Sequence, residues 1–295
     1  MSRIHEALKR AEQERVGAPA QAHEPRHSTV AVAEQPVTHA PDGAIRPANF
    51  SFEEIARNCR RADWRPDLRT MVSGQGRHTA GAEEFRTLRS RLYKIREQQT
   101  LKSVLITSPL PAEGKTFVAA NLAFALSSQK ERKVILLDAD LRKPRAHVLL
   151  GAPPAPGLTD YLGKTADEFA VIQRGNLDNL FFIPGGNLVA NPADLIGGER
   201  MAQLMQRLTA AFDWVIVDTP PTIPVSDAHV LSSVCDGSLL VVMAGATPLD
   251  LAQKAAQQFH DRHMLGAILN RAERGTGYHS NYYYEYGYGE SGREA

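Results

Sequence analysis

From Ser103 onward the chain alternates short apolar runs with longer helical patterns. The runs are "SVLITS" (103–108), "VILLDAD" (134–140), "LFFIP" (180–184), "WVIVDTP" (214–220), "SLLVVMAG" (238–245) and "LGAILNR" (265–271). Each is nearly continuous in Val, Ile, Leu or Phe, which is the pattern of strands buried on both faces of a parallel sheet. Between them, "TFVAANLAFALSSQ" and "ERMAQLMQRLTAAF" read as helices. A further helix is expected from about Gly81, in "AEEFRTLRSRLYKIREQ", with Phe85, Leu88 and Leu92 on one face. The alternation predicts an α/β domain over residues 80–272, built on a doubly wound, mostly parallel sheet. Residues 50–79 read as a connecting segment, in which "FSFEEIARNC" suits a short helix and "RPDLRTMVSGQGRH" an extended stretch.

Both ends lack this pattern. Residues 1–16 carry a narrow apolar stripe of Ile4, Ala7, Leu8 and Ala11, so a short helix is expected, either frayed or docked on a partner. Residues 17–49 are rich in Ala, Pro, His and Glu without periodicity and read as a disordered linker. Residues 273–295 hold Tyr278, Tyr282, Tyr283, Tyr284, Tyr286 and Tyr288, six of the eight tyrosines in the chain. Tyrosine normally buries its ring, so its concentration among Gly, Ser, Asn and Glu calls for a reason other than packing.

Composition narrows the class. With 34 Lys+Arg against 33 Asp+Glu and a net charge of +1, nothing points to a nucleic-acid or general polyanion binder. Two cysteines, Cys59 and Cys235, exclude a disulfide framework and make a reducing, cytoplasmic setting the expectation. No apolar run approaches the twenty or so residues of a membrane span, and the N-terminus is charged rather than signal-like.

The chemistry gathers at strand ends. "SPLPAEGKTFVAANLA" puts "EGKT" between a strand and a helix, the context a phosphate-binding loop requires. Ala112, Glu113, Gly114, Lys115, Thr116 and Phe117 are the candidate nucleotide-binding residues. Backbone N–H groups from Ala112 to Thr116 would face the α- and β-phosphates of ATP, helped by the helix N-terminus. Lys115 would reach the β- and γ-phosphates, and the Thr116 hydroxyl would bind Mg²⁺. The loop departs from G-x-x-x-x-G-K-[ST] at Pro109, and Ala112 stands where glycine is common; Pro109 and Pro111 each remove an N–H donor. "ILLDADLRKP" and "VIVDTPP" end two strands in Asp138, Asp140 and Asp218. Side chains two apart on a strand share a face, so Asp138 and Asp140 are expected together at the carboxyl edge of the sheet, where open α/β sheets bind ligands.

A P-loop, then "ILLDAD" with Arg142 two residues on, then "VIVDTPP" and a tyrosine-rich C-terminus resemble the bacterial tyrosine kinases. "EEFRTLR" fits that family's E-x-x-R-x-x-R motif as Glu83, Arg86 and Arg89, which the resemblance makes the contact of a homo-oligomeric ring. The resemblance covers about residues 80–290 and implies the fold of P-loop NTPases of the MinD/ParA-like group. It also implies ATP- and Mg²⁺-dependent phosphorylation of tyrosine, chiefly in the tail, with Asp138 meeting the phenol and Thr116, Asp140 and Asp218 holding Mg²⁺. Arg142 is expected to hold the acidic tail or the local loop. Asn270 either reads adenine, as the corresponding position does in related ATPases, or is structural. The implied partners are a membrane-embedded chain-length determinant of polysaccharide export and a cognate tyrosine phosphatase. The implied setting is cytoplasmic, peripheral to the inner membrane, in the stand-alone type without a fused membrane part.

Three rival readings fit less of the chain. Septum-placing and partitioning ATPases carry a lysine where this chain has Leu110, and have no use for a tyrosine tail. Iron–sulfur ATPases of the fold need paired cluster cysteines, which Cys59 and Cys235 do not supply. A catalytically silent nucleotide-binding adaptor remains open because of Pro109 and Ala112.

Overall fold

The structure is a computed structural model that describes residues 50–66, 80–259 and 264–272. The chain divides into two units, Met1–Arg46 and Pro47–Ala295, and the described residues belong to the second. The expected N-terminal helix, the linker, the stretch 67–79 and the tyrosine tail lie outside the described residues.

Eight strands form one sheet: β1 (Arg60–Arg61), β2 (Ser103–Thr107), β3 (Val134–Asp138), β4 (Gln173–Arg174), β5 (Leu180–Ile183), β6 (Trp214–Asp218), β7 (Gly237–Met243) and β8 (Met264–Asn270). Their spatial order is β1-β4-β5-β3-β6-β2-β7-β8. All six strands read from the apolar runs are present and pair in parallel. The two-residue strands β1 and β4, too short to show a period, were not anticipated, and β4 runs antiparallel to β5.

The continuous apolar runs split into two cores by residue parity. Leu105, Ile135, Leu137, Phe181, Val215 and Val217 face one core, and Val104, Ile106, Leu136, Phe182, Trp214 and Ile216 face the other. Burial on both sides explains why these strands show no polar alternation. β8 departs from that expectation, because it closes the edge of the sheet and is only partly buried, with Leu269 62 % exposed. The helix Lys115–Ser127 lies on the second face beneath the helix Ala80–Arg96, and Val118 to Ser127 are all buried in it. A helix enclosed on all sides needs no amphipathic stripe.

Residues 50–66 are part of this core rather than a connection to it. Phe50, Ile55, Cys59 and Trp64 are buried, and the Ser51 side chain caps the helix Phe52–Asn58 by accepting from the Glu54 N–H at 3.2 Å. Trp64 meets Phe182 edge to face at 6.1 Å between centroids. Gly175 leaves room for that indole, since a Cβ there would stand 2.3 Å from it. Trp64→Ala should therefore cost about 3–5 kcal/mol. A urea-unfolding midpoint equal to that of the parent chain would show that this segment contributes nothing to the fold.

β3 and β2 are separated by β6, so the chain leaves a gap that β6 later fills. The resulting register sets Asp218 beside Asp138 on one flank and Ile106 on the other. The carboxyl ends of β2, β3 and β6 thus converge on one point.

Candidate active site

The loop after β2 is built by tertiary contacts. Gly114 adopts φ 95°, and a Cβ there would lie 2.2 Å from Asn270 Nδ2. Glycine is required on both counts. Ala112 is also left-handed, at φ 66°, a conformation that costs an L-residue about 1–2 kcal/mol. The Glu113 side chain is buried and turns inward: Oε2 accepts from the Leu110 N–H at 2.8 Å and Oε1 from the Thr247 hydroxyl. Of the expected binding residues, Glu113 therefore offers only its backbone to a nucleotide. Asn270 Nδ2 donates to the Glu113 carbonyl at 2.8 Å, while its Oδ1 accepts from the Arg271 N–H at 2.9 Å. Both amide atoms are engaged within the chain, as the structural alternative for Asn270 requires. On the other side, the N–H groups of Thr222 and Ile223 donate to the carbonyls of Ser108 and Pro109 at 2.8 and 3.2 Å. The segment after β6 is thereby laced to the loop.

The acidic residues are less alike than their spacing suggests. β3 ends at Asp138, and Asp140 lies in the turn beyond, not on the strand. The reason is local: the Asp138 carboxylate accepts from the N–H groups of Asp140 and Ala146, at 3.2 and 3.0 Å, and folds the chain back. Asp138 is 0 % exposed. Asp140 is buried too, at 4 % exposed, but its carboxylate is paired, with Oδ2 2.7 Å from Lys115 Nζ and Oδ1 accepting from the Lys143 N–H at 3.1 Å. Asp218, also fully buried, has Lys115 Nζ 4.0 Å from Oδ1, and neither of its oxygens accepts a hydrogen bond. Arg142 makes a two-pronged pair with buried Asp227, at 2.8 and 2.9 Å. This pair ties the loop after β3 to the segment after β6, and the acidic tail, the other expected partner of Arg142, lies outside the described residues.

Three carboxylates share one ammonium here, and burial alters the proton affinities of Asp138 and Asp218. Burial, then repulsion from Asp218, raises Asp138 well above the ordinary carboxylate value. Burial pushes Asp218 up to about 6, against the pull of Lys115. Burial opposes the Lys115 charge, but Asp218 and then Asp140 outweigh it and hold the ammonium above its usual value. An orphaned buried carboxylate, a hydroxyl and an all-oxygen donor set fit a hard cation such as Mg²⁺. Among the described residues no three His, Cys, Asp or Glu side chains form a metal cage, so phosphate and water would complete its shell.

Glu83, Arg86 and Arg89 lie apart from this centre on the helix Ala80–Arg96. Glu83 and Arg86 pair with each other. Arg89 donates to the Ala125 carbonyl at 2.8 Å and to the Ser128 hydroxyl, covering the C-terminal end of the P-loop helix. Asp227 and Thr247, which support the site, were missed from sequence. Asp227 stands nine residues past Asp218 in "VSDAH", which resembles an ordinary helix start, and Thr247 carries no motif.

A doubly wound sheet with this loop at its centre defines a P-loop nucleotide-binding protein. The cell-division ATPase MinD of Pyrococcus furiosus superposes on 59 % of the chain and 74 % of its own length, with TM-score 0.51 and 26 % identity. The kinase domain of the Escherichia coli tyrosine kinase ETK matches further, over 70 % of this chain and 84 % of that one, with TM-score 0.64 and 31 % identity. In sequence, tyrosine-protein kinase YwqD of Bacillus subtilis is 38 % identical over 205 residues, 69 % of this chain and 85 % of the relative. Tyrosine-protein kinase etk of E. coli is 34 % identical over 193 residues, 65 % of this chain, which spans only 26 % of that longer relative. No protein-family model matches the chain. The chain belongs to the bacterial tyrosine-protein kinase family.

The charge cluster predicts a pH dependence. Folded Asp218 keeps its proton up to about pH 6, whereas the unfolded chain releases it near 3.8. The folded state is the better proton binder between those values, so the stability this group contributes is full below the lower one and is lost as pH rises through about 6. Asp138 shifts in the same direction. In nucleotide-free protein, the unfolding midpoint of wild type relative to Asp218→Asn should fall as pH is raised from about 5 to about 7.5. Parallel curves for the two proteins would refute a proton held at Asp218.

Proposed function

We propose that the chain transfers the γ-phosphoryl group of ATP to tyrosines of its own C-terminal segment, Tyr278, Tyr282, Tyr283, Tyr284, Tyr286 and Tyr288. The observation that carries this reading is Lys115 held between Asp140 and Asp218 under a P-loop, at 2.7 and 4.0 Å, in a chain whose end concentrates tyrosines. Phosphoryl transfer passes through a loose transition state, so positioning and charge neutralisation count for more than early removal of the phenolic proton. Backbone N–H groups of the loop bind the phosphates, and Lys115 neutralises charge on the oxygens of the transferred group. Thr116 and Asp218 would hold Mg²⁺, which supplies further neutralisation of phosphate charge when bound.

The phenol loses its proton late, and the sequence reading assigns its acceptance to Asp138. The geometry supports another division. Asp138 has both carboxylate oxygens engaged by N–H groups, so it shapes the turn, while Asp140 has one engaged by Lys115, a group that phosphates would attract. Phosphates that draw Lys115 toward themselves release Asp140 to receive the phenol.

The larger setting proposed is regulation of exopolysaccharide or capsule polymerisation and export. The chain would work at the cytoplasmic side of the inner membrane, docked to a membrane-embedded chain-length determinant and reset by a tyrosine phosphatase. No helix among the described residues is long and apolar enough to cross a membrane. In a ring joined through Glu83, Arg86 and Arg89, the Glu83–Arg86 pair would exchange its partner for one on the neighbouring subunit. Phosphorylation of all six tail tyrosines adds about −9 to −12 charges, enough to drive such a ring apart.

Anti-phosphotyrosine blotting after incubation with Mg·ATP tests the central claim. Lys115→Ala should abolish the signal while the fold survives, and an undiminished signal would remove the kinase assignment in favour of an ATPase without kinase activity or a silent adaptor. Asp138→Asn and Asp140→Asn should both lower phosphotyrosine formation, Asp140→Asn by the larger factor, because Asp140 is the carboxylate assigned to the phenol. A larger loss with Asp138→Asn would return the phenol-facing role to Asp138. If tail charge governs assembly, light scattering should report a mass that falls as phosphate incorporation rises.

A further inference from the structure

The loop that carries Asp140 also carries charge that no ion pair among the described residues uses. Lys143 and Arg145 are exposed, and among the described residues neither side chain enters an ion pair. The nearby carboxylates are already engaged: Asp140 by Lys115, and Asp227 by Arg142. Pro144, between the two cations, abuts the loop after β5 so closely that a Cβ on Gly185 would lie 2.6 Å from it. Three residues past that glycine, Leu188 is 72 % exposed, and Val148, in the helix that Arg145 begins, is 58 % exposed. Two cations and two exposed apolar side chains thus stand on the adjoining segments that follow β3 and β5.

We infer that this rim is the docking surface for the acceptor segment, with Lys143 and Arg145 selecting tyrosines that have glutamate beside them and Leu188 and Val148 receiving the neighbouring rings. The inference rests on the proposed kinase reading and adds to it the class of peptide the site takes. The occupant is residues 278–290 of this chain, for two reasons. Its composition is complementary: Glu285 separates Tyr284 from Tyr286, and Glu290 follows Tyr288 by two residues. Its origin is also suitable. β8, the last described strand, is parallel to the central strands, so the segment beyond it starts from the same sheet edge as the loop after β3. Four strand spacings separate β8 from β3, about 19 Å, which about six extended residues cover. Rim charges of this kind set encounter rate and register more than they add deep binding energy. Acidic tyrosine peptides should therefore be distinguished chiefly at low salt.

The test is a binding measurement that needs no phosphoryl transfer. A fluorescent peptide of sequence 273–295 is titrated, at low salt, against full-length wild type and against the Lys143→Glu/Arg145→Glu double variant. A second peptide carries Glu285→Lys and Glu290→Lys. The double variant should bind the native peptide about tenfold more weakly than wild type does, and should regain affinity for the charge-reversed peptide. Recovery by the reversed peptide also shows that the variant is folded. A fluorescent ADP analogue should bind both proteins alike. Equal affinity of the two peptides for both proteins would overturn the inference. So would weakened ADP binding with unchanged peptide binding, which would assign the cations to the nucleotide. Loss of phosphotyrosine in every assay alongside charge-dependent peptide binding would instead strike the kinase reading and leave the docking surface standing.

Discussion

The constraint on which the rest depends is the placing of three carboxylates around one ammonium in a site from which water is largely excluded. Asp138 and Asp218 are neighbours in the register of β3 and β6, both fully buried, and Lys115 reaches them only from the loop after β2. Such a group is unfavourable by itself. Burial raises both aspartates, and Asp218 has no hydrogen-bond donor. A fold can hold this arrangement only if the surrounding strands are rigid, because an unpaired buried charge otherwise draws in water or a proton. The two apolar cores on either face of the sheet supply that rigidity, and the topology, with β6 inserted between β2 and β3, brings the three strand ends together. A bound polyphosphate and cation would relieve the imbalance, so the strain of the free site favours the ligand.

The departures of the P-loop from its usual sequence become intelligible against this frame. Pro109 donates no N–H, but its carbonyl accepts from Ile223, so the proline position joins the loop to the segment after Asp218. Ala112 takes the left-handed conformation that a glycine would adopt at less cost. Glu113, beside it, is clamped at both carboxylate oxygens and at its carbonyl, by Leu110, Thr247 and Asn270. Those three contacts hold the loop where its own sequence is least favourable. They also connect the phosphate-binding loop to the ends of β7 and β8, on the opposite flank from Asp140.

Much of this was legible in the chain alone. Five of the six apolar runs are central strands, and all six pair in parallel, so their direction followed from pattern; that the sixth, β8, lies half-exposed at the edge of the sheet did not. "EGKT" between a strand and a helix, and aspartates closing two strands, located the site, because ligand chemistry on such sheets gathers at their carboxyl edge. Hydrophobic periodicity and motif spacing are local properties, and a sequence displays them directly. Tertiary structure decided whatever depended on partners distant in the chain. Residues 50–66 join the core through Trp64 and Phe182, more than a hundred positions apart, and no period in a two-residue strand announces it. Asp138 and Asp140 have the same spacing and chemistry, yet one is sealed by two backbone N–H groups and the other faces Lys115, because the chain turns between them. Arg142 is claimed by Asp227, Arg89 by the end of the P-loop helix, and Asn270 by Glu113. Charge and hydrogen-bonding capacity are written in each residue, but which partner satisfies them depends on distances that exist only after the chain has folded.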